Sequence, residues 1–172
     1  MPLTDLKPNE YNPYYQQFLD KIKDEGSLIE CLQNGAKATV SFFNSLTDEQ
    51  WMLRYAPEKW TPKEVLQHLI DTERIFSYRG LRIGRRDTTA LAGFDQDIYV
   101  EPSGANAKSA EQLLEEYRIT RDHTLSLAGS LSDEDLAALG HASDSPVSAR
   151  AVFWITIAHE IWHIDIIKER YL

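Results

Sequence analysis

The segment AVFWITIAHEIWHIDIIKERYL, residues 151–172, decides how this chain reads. It encloses HEIWH, His159 to His163, a literal match to H-E-x-x-H. On a helix of 100° per residue the two histidines lie roughly 40° apart, one turn along the same face. Val152, Ile155, Thr156 and Ile166 share that face, so the pair sits within a buried stripe. Buried neutral imidazoles need partners for their ring nitrogens. A metal ion satisfies one nitrogen on each ring, and a further acceptor satisfies the other. A pair of core histidines hydrogen-bonded to side chains elsewhere is the alternative.

In zinc proteases this string supplies two ligands and a glutamate base, with the third ligand further along the chain. Nine residues, IDIIKERYL, follow His163 here, too few for a downstream ligand helix, and no H-x-x-G-x-x-H continuation is present. Asp165 and Glu169 lie on the same helix and point away from the pair. A third ligand is therefore expected from another helix, and His68 is the candidate. It lies near the edge of the stripe set by Val65, Leu69, Thr72 and Phe76. Three histidines from facing helices, with a further position left open, are the usual plan of a catalytic zinc site. Taken alone, His68 also reads as a flanking histidine that only forms hydrogen bonds. Glu160, 100° round from His159, either reaches toward the site as a base or faces a neighbouring helix or solvent. Without the protease architecture the second reading is preferred. His123 reads as exposed and His141 as part of a loop, and neither is assigned to a site.

Working outward, the chain reads as helical almost throughout. SLIECLQNGAKATVSFFNSL places Leu28, Leu32, Thr39, Phe43 and Leu46 at helical spacing, with Gly35 as a mild defect or a point of close helix approach. WTPKEVLQHLIDTERIFSYRGLRIG opens with Thr61 as N-cap, Pro62 at the first helical position and Glu64 closing a capping box, and Gly84 is its stop. A third helix starts at Ser109 with Gln112 in the same role, and the last starts near Ser148. PYYQQFLDKI predicts a short leading helix and SDEDLAALG a short helical turn, while no alternating segment is long enough to predict a strand. Residues 85–108 read as a long loop whose GFDQDIYV tract packs over something. The expected fold is all-α: a four-helix bundle with a long crossover loop between the second and third core helices. It forms a single domain over residues 1–172, with an N-terminal extension over 1–26 and the bundle core over 27–172.

Arg74, Arg79, Arg82, Arg85 and Arg86 crowd the end of the second helix and read as a solvated face that complements the helix dipole. Arg79 falls on the side of His68 and Thr72, which makes it a candidate for an anionic part of a substrate. The formal net charge of -9 argues against nucleic acid and against anionic membranes. The N-terminus lacks the pattern of a signal peptide, and the lone cysteine, Cys31, fits a core position and a reducing cytoplasm. No phosphate loop, nucleophile elbow, Cys-x-x-Cys or di-iron carboxylate pattern is present.

EKWTPKEVLQHLIDTERIFSYR, GFDQDIYV and SPVSARAVFWITIAHEIWHIDIIKERYL resemble the DinB/YfiT-like superfamily of helical-bundle metalloproteins. The order is the same: W-[ST]-x-x-E-x-x-x-H-x-x-[DH] on an early helix, then H-x-x-x-H on the last. The resemblance covers about residues 13–172. It implies a bundle whose divalent metal, such as zinc or nickel, is held by His68, His159 and His163, with the glutamate of HEIWH incidental. It further implies either a hydrolase that activates water or an S-transferase using a low-molecular-weight thiol such as bacillithiol; a related mycothiol-dependent isomerase shares the site plan. In the transferase version Arg79 or Arg82 would help hold a charged thiol. A small-molecule substrate and a homodimer are expected. The alternative is a non-catalytic bundle whose metal site is structural or vestigial.

Overall fold

The computed structural model describes residues 1–23 and 25–172. Its four long helices are α2 (Leu28–Asn44), α4 (Pro62–Gly84), α6 (Ala110–Gly129) and α8 (Ala149–Arg170). Shorter helices are α1 (Gln16–Leu19), α3 (Asp48–Trp51), α5 (Asp97–Ser103) and α7 (Asp133–Leu136). Each long helix starts where its capping residues predict. The hydroxyls of Ser27, Thr61, Ser109 and Ser148 each accept a hydrogen bond from a backbone N–H in the first turn. The first three are answered by Glu30, Glu64 and Gln112 in full capping boxes.

Around the bundle the order is α2, α6, α4, α8. Side-chain pairs give the directions. Gln67 meets Glu116 and Ser77 meets Thr124, so α4 and α6 run parallel. His68 meets His159 near one end while Gly80 meets Phe153 further along, so α8 runs antiparallel to α4. Two consecutive parallel helices need a connection that returns the length of the bundle, about 35 Å for the 23 residues of α4. Residues 85–109 supply it, and they are not simply loop: α5 and a 3-10 turn at Ala105–Ala107 lie within them. Asn106 pins the return to the start of α4, accepting from the Thr61 hydroxyl at 2.7 Å and donating to Glu64 at 2.7 Å.

One element departs from the all-helical expectation. Strands β1 (Leu139–Ala142) and β2 (Ser145–Ser148) form an antiparallel hairpin, so His141 lies on a strand, not in a loop. The alternation spans four residues per strand, too short to register as a period, and Pro146 argues against a strand from sequence. Ser143 and Asp144 make the turn, both at positive φ (51° and 58°), without the usual glycine. The expected leading helix is also shorter than PYYQQFLDKI suggests, being a 3-10 turn at Pro13–Tyr15 followed by the single turn of α1.

The core falls into two apolar halves. One surrounds Phe153 and Trp154 near the hairpin, and the other surrounds Phe43, Ile70 and Ile167 at the opposite end. Between them each long helix contributes polar or small residues: Gly35 and Thr39, Thr72 and Glu73, Thr120 and Arg121, His159 and Glu160. This middle layer contains the candidate site.

Candidate metal centre

His68 projects from α4, and His159 and His163 from α8. Nε2 of His159 lies 3.1 Å from Nε2 of His68 and 3.0 Å from Nε2 of His163. One ligand atom from each ring lies within 4.8 Å of the other two, and this is the grouping of His, Cys, Asp and Glu able to hold a metal ion among the described residues. Hydrogen bonding alone accounts poorly for the convergence. In a neutral ring Nε2 either donates one proton or offers one lone pair, so His159 cannot serve both neighbours through the same atom. A cation accepts all three lone pairs at once. Three nitrogens about 2.1 Å from one ion at tetrahedral angles would be roughly 3.4 Å apart, close to the spacing here.

The surroundings hold the rings neutral and in place. Burial pushes the pKa of His68 down to about 3, helped by the nearby His163, and that of His163 down to about 4. Burial, with His163 and His68 beside it, also holds His159 well below the ordinary histidine value. Unprotonated imidazoles are the form a metal needs. Thr72 Oγ1 stands 3.4 Å from His68 Nδ1, where it can take that proton and leave Nε2 free. The Trp60 ring packs 4.9 Å from the His68 ring, and Phe18 lies 6.4 Å from that of His159.

Glu160 goes elsewhere. It is 3% exposed and accepts hydrogen bonds from Arg121 at 2.6 Å and Tyr117 at 2.8 Å through Oε2, with Arg121 Nη1 3.4 Å from Oε1. Arg121 also forks onto Glu73 at 2.7 and 3.0 Å and donates to the Leu32 carbonyl. Burial pushes the Glu160 carboxyl up despite Arg121 beside it, and burial and the Glu160 charge push the Tyr117 phenol well up. Gly35 is what admits this cluster, because a Cβ there would collide with Glu160 Oε1. Sequence reading places Glu160 beside the buried face but misses its partners. The signal was available: Arg121 lies between Tyr117 and Thr124 on the inward stripe of α6, where a charge needs a partner.

A cleft opens onto His159 and His163. Tyr15, Phe18, Phe94 and Trp162 form aromatic walls, and Arg79 lies in its lining. Two of these come from the N-terminal segment, which reads only as a short leading helix, and one from the crossover, whose tract carries no helical period to mark it. Arg79 leaves the solvated arginine face predicted for it. It is 5% exposed and donates through Nη2 to the Ala92 carbonyl and to Ser143 Oγ, both at 2.9 Å. Arg82 stays outside, bound to Asp87 and Tyr78. His123 and His141 are exposed, and Cys31 is a buried core residue. No helix among the described residues is long and apolar enough to cross a membrane.

A family model described as the DinB superfamily matches residues 32–167. YfiT from Bacillus subtilis, described as a probable metal-dependent hydrolase with an unusual four-helix bundle topology, superposes with a TM-score of 0.73 at 18% identity, over 96% of this chain and 93% of that one. A DinB-like protein, YjoA, also from Bacillus subtilis, superposes with a TM-score of 0.59 at 13% identity, over 84% of this chain and 88% of that one. No curated protein matches the sequence.

Proposed function

The chain belongs to the DinB superfamily, and on that premise we propose that it is a metal-dependent enzyme whose divalent ion, zinc or nickel, is held by His68, His159 and His163. The observation that carries this reading is the meeting of three Nε2 atoms that hydrogen bonds cannot all satisfy. When bound, the ion supplies a Lewis acid able to activate water for hydrolysis or a low-molecular-weight thiol for S-transfer. The protein's own contribution is to present three neutral imidazoles from two rigid helices. Trp60 and Phe18 hold the rings in orientation, and the aromatic walls shield the reacting group from bulk water. Glu160 acts as an anchor of the bundle and not as the base, because both its oxygens face Arg121 and Tyr117. The likeness to YfiT, described as a probable metal-dependent hydrolase, supports the hydrolytic version, while the sequence resemblance leaves hydrolysis and S-transfer both open.

Metal analysis of protein purified without a histidine tag tests the site. About one equivalent of divalent metal is expected in the wild type, and less than about a tenth in His163→Ala. Equal and negligible metal in both would end the metal reading. The metal-loaded protein is then assayed against a panel of esters, and against several thiols with monochlorobimane as electrophile. Turnover that requires His68 and one particular thiol selects the S-transferase, and ester turnover without thiol selects the hydrolase. A bundle that unfolds on metal removal and turns over nothing selects a structural site.

A further inference from the structure

Three arginines are buried among the described residues, and they differ in what faces them. Arg121 forks onto Glu73 and meets Glu160. Arg150 forks onto Glu10, tying the N-terminal segment to the start of α8. Arg79 has no carboxylate. Its partners are a backbone carbonyl and the Ser143 hydroxyl, both on Nη2, and its Nε and Nη1 donate to nothing among the described residues. Those two nitrogens are also not among the fully enclosed unpaired atoms, and Arg79 lines the cleft. A guanidinium removed from bulk water without an opposing charge is costly, and the natural offset is an anion that arrives with the ligand.

The position of Arg79 ties this charge to the histidines. It lies eleven residues after His68 on α4, within roughly 20° of the same face and about 16 Å along the axis. Helix side chains lean toward the N-terminus, and the guanidinium does so here, with Cζ 5.4 Å from the Phe76 ring and 5.7 Å from the Phe94 ring. Its remaining nitrogens, Nε and Nη1, are therefore on the order of 10 Å from the imidazoles. Arg79, Ser143 and Tyr15 also line a second hollow that adjoins the first, bounded by the hairpin turn and lacking the histidines. Ser143 is held at positive φ in that turn and its backbone N–H donates to the Leu91 carbonyl, so hairpin and crossover together fix the arginine.

We propose that the cleft takes a small monoanionic substrate whose carboxylate docks on Arg79, with an apolar or aromatic body against Phe94, Phe18 and Trp162. The reacting end, several bonds from the carboxylate, lies at the histidines. One guanidinium balances the charge of one carboxylate: with Nη2 given to Ala92 and Ser143, the carboxylate accepts from Nη1 or from Nε, whereas a phosphate dianion would go half-neutralised. The carboxylate subsite stands on Arg79 alone; the placing of the reacting end rests on the metal reading given above.

The test is calorimetric binding of 4-phenylbutyrate and its neutral amide, 4-phenylbutanamide, to zinc-treated wild type, Arg79→Gln and Arg79→Met. The carboxylate is expected to bind wild type at least about tenfold more tightly than the amide, with the preference lost in Arg79→Gln while the amide affinity is unchanged. If Arg79→Gln does not fold, Arg79→Met decides: a carboxylate preference that is lost upholds the subsite, and an unchanged one overturns it. Equal binding of the two probes to wild type overturns the proposal outright. A preference that survives Arg79→Gln but disappears on stripping zinc puts the carboxylate on the metal, which overturns this proposal and leaves the metal reading standing. A preference lost in Arg79→Gln, in protein that takes up no zinc, upholds the subsite and removes the metal reading.

Discussion

The two sides of the α4–α8 pair handle buried polar groups in opposite ways. On one side Glu73 and Glu160 close on Arg121, with Tyr117 and the Leu32 carbonyl completing the hydrogen bonds. On the other, three imidazoles converge with no charge to join them, and Arg79 faces an open cleft with no carboxylate. The closed side answers its own needs and reads as structure. The open side leaves its needs unmet among the described residues. One layer of the bundle thus separates anchoring from binding, and adjacent residues on α8, His159 and Glu160, serve the two sides.

The largest expected effect breaks the closed side. Arg121→Met leaves two carboxylates buried without a cation, and urea unfolding should show a loss of about 3–5 kcal/mol. A loss below about 1 kcal/mol would mean that the cluster does not anchor the bundle.

Acid should act first on the open side of the metal-free protein. The ordinary histidine pKa is 6.5, and folding lowers His68 to about 3 and His163 to about 4. Between those limits the unfolded chain binds more protons than the folded one, so stability falls as pH falls below about 6.5 and is flat above it. The slope approaches ~1.4 kcal/mol per pH unit for each histidine that stays neutral. Melting of the His68→Ala, His163→Ala double variant over the same range should show a visibly shallower decline.

Gly35→Ala separates local propensity from packing. Alanine gains about 1 kcal/mol over glycine in a helix interior. Here its Cβ would strike a carboxylate that Arg121 and Tyr117 hold in place, so a net loss of about 1–2 kcal/mol is expected. A rise in melting temperature would show that Glu160 yields easily and that the closed side is looser than its hydrogen bonds imply.

The smallest effect should come from His68→Ala in metal-free protein. Removing an imidazole whose Nε2 lacks an adequate partner should change stability by less than about 1 kcal/mol, while metal uptake is lost. A large destabilisation without metal would mean that the three rings serve the core directly.

Much of this was legible in the chain because its signals are local. Helix starts depend on one hydroxyl and one residue three positions later, and helix faces follow from a period of 3.6, so the four long helices and the histidine pair can be placed from residues alone. The distant His68 is also readable as a candidate, since it flanks an inward stripe and a histidine pair proposed as metal ligands calls for a third. The sequence determines which residues face inward and which chemistry they carry. Tertiary structure decides which inward residues meet. Only the packing of α6 against α4 and α8 gives Glu160 to Arg121 and keeps it from the histidines. Only the return of the crossover and the hairpin turn, neither of which has a helical period, turns Arg79 from one of five clustered arginines into an unpaired charge in a cleft. The reason is physical: periodicity fixes the direction of a side chain about its own axis, while its partner is fixed by contacts far apart in sequence.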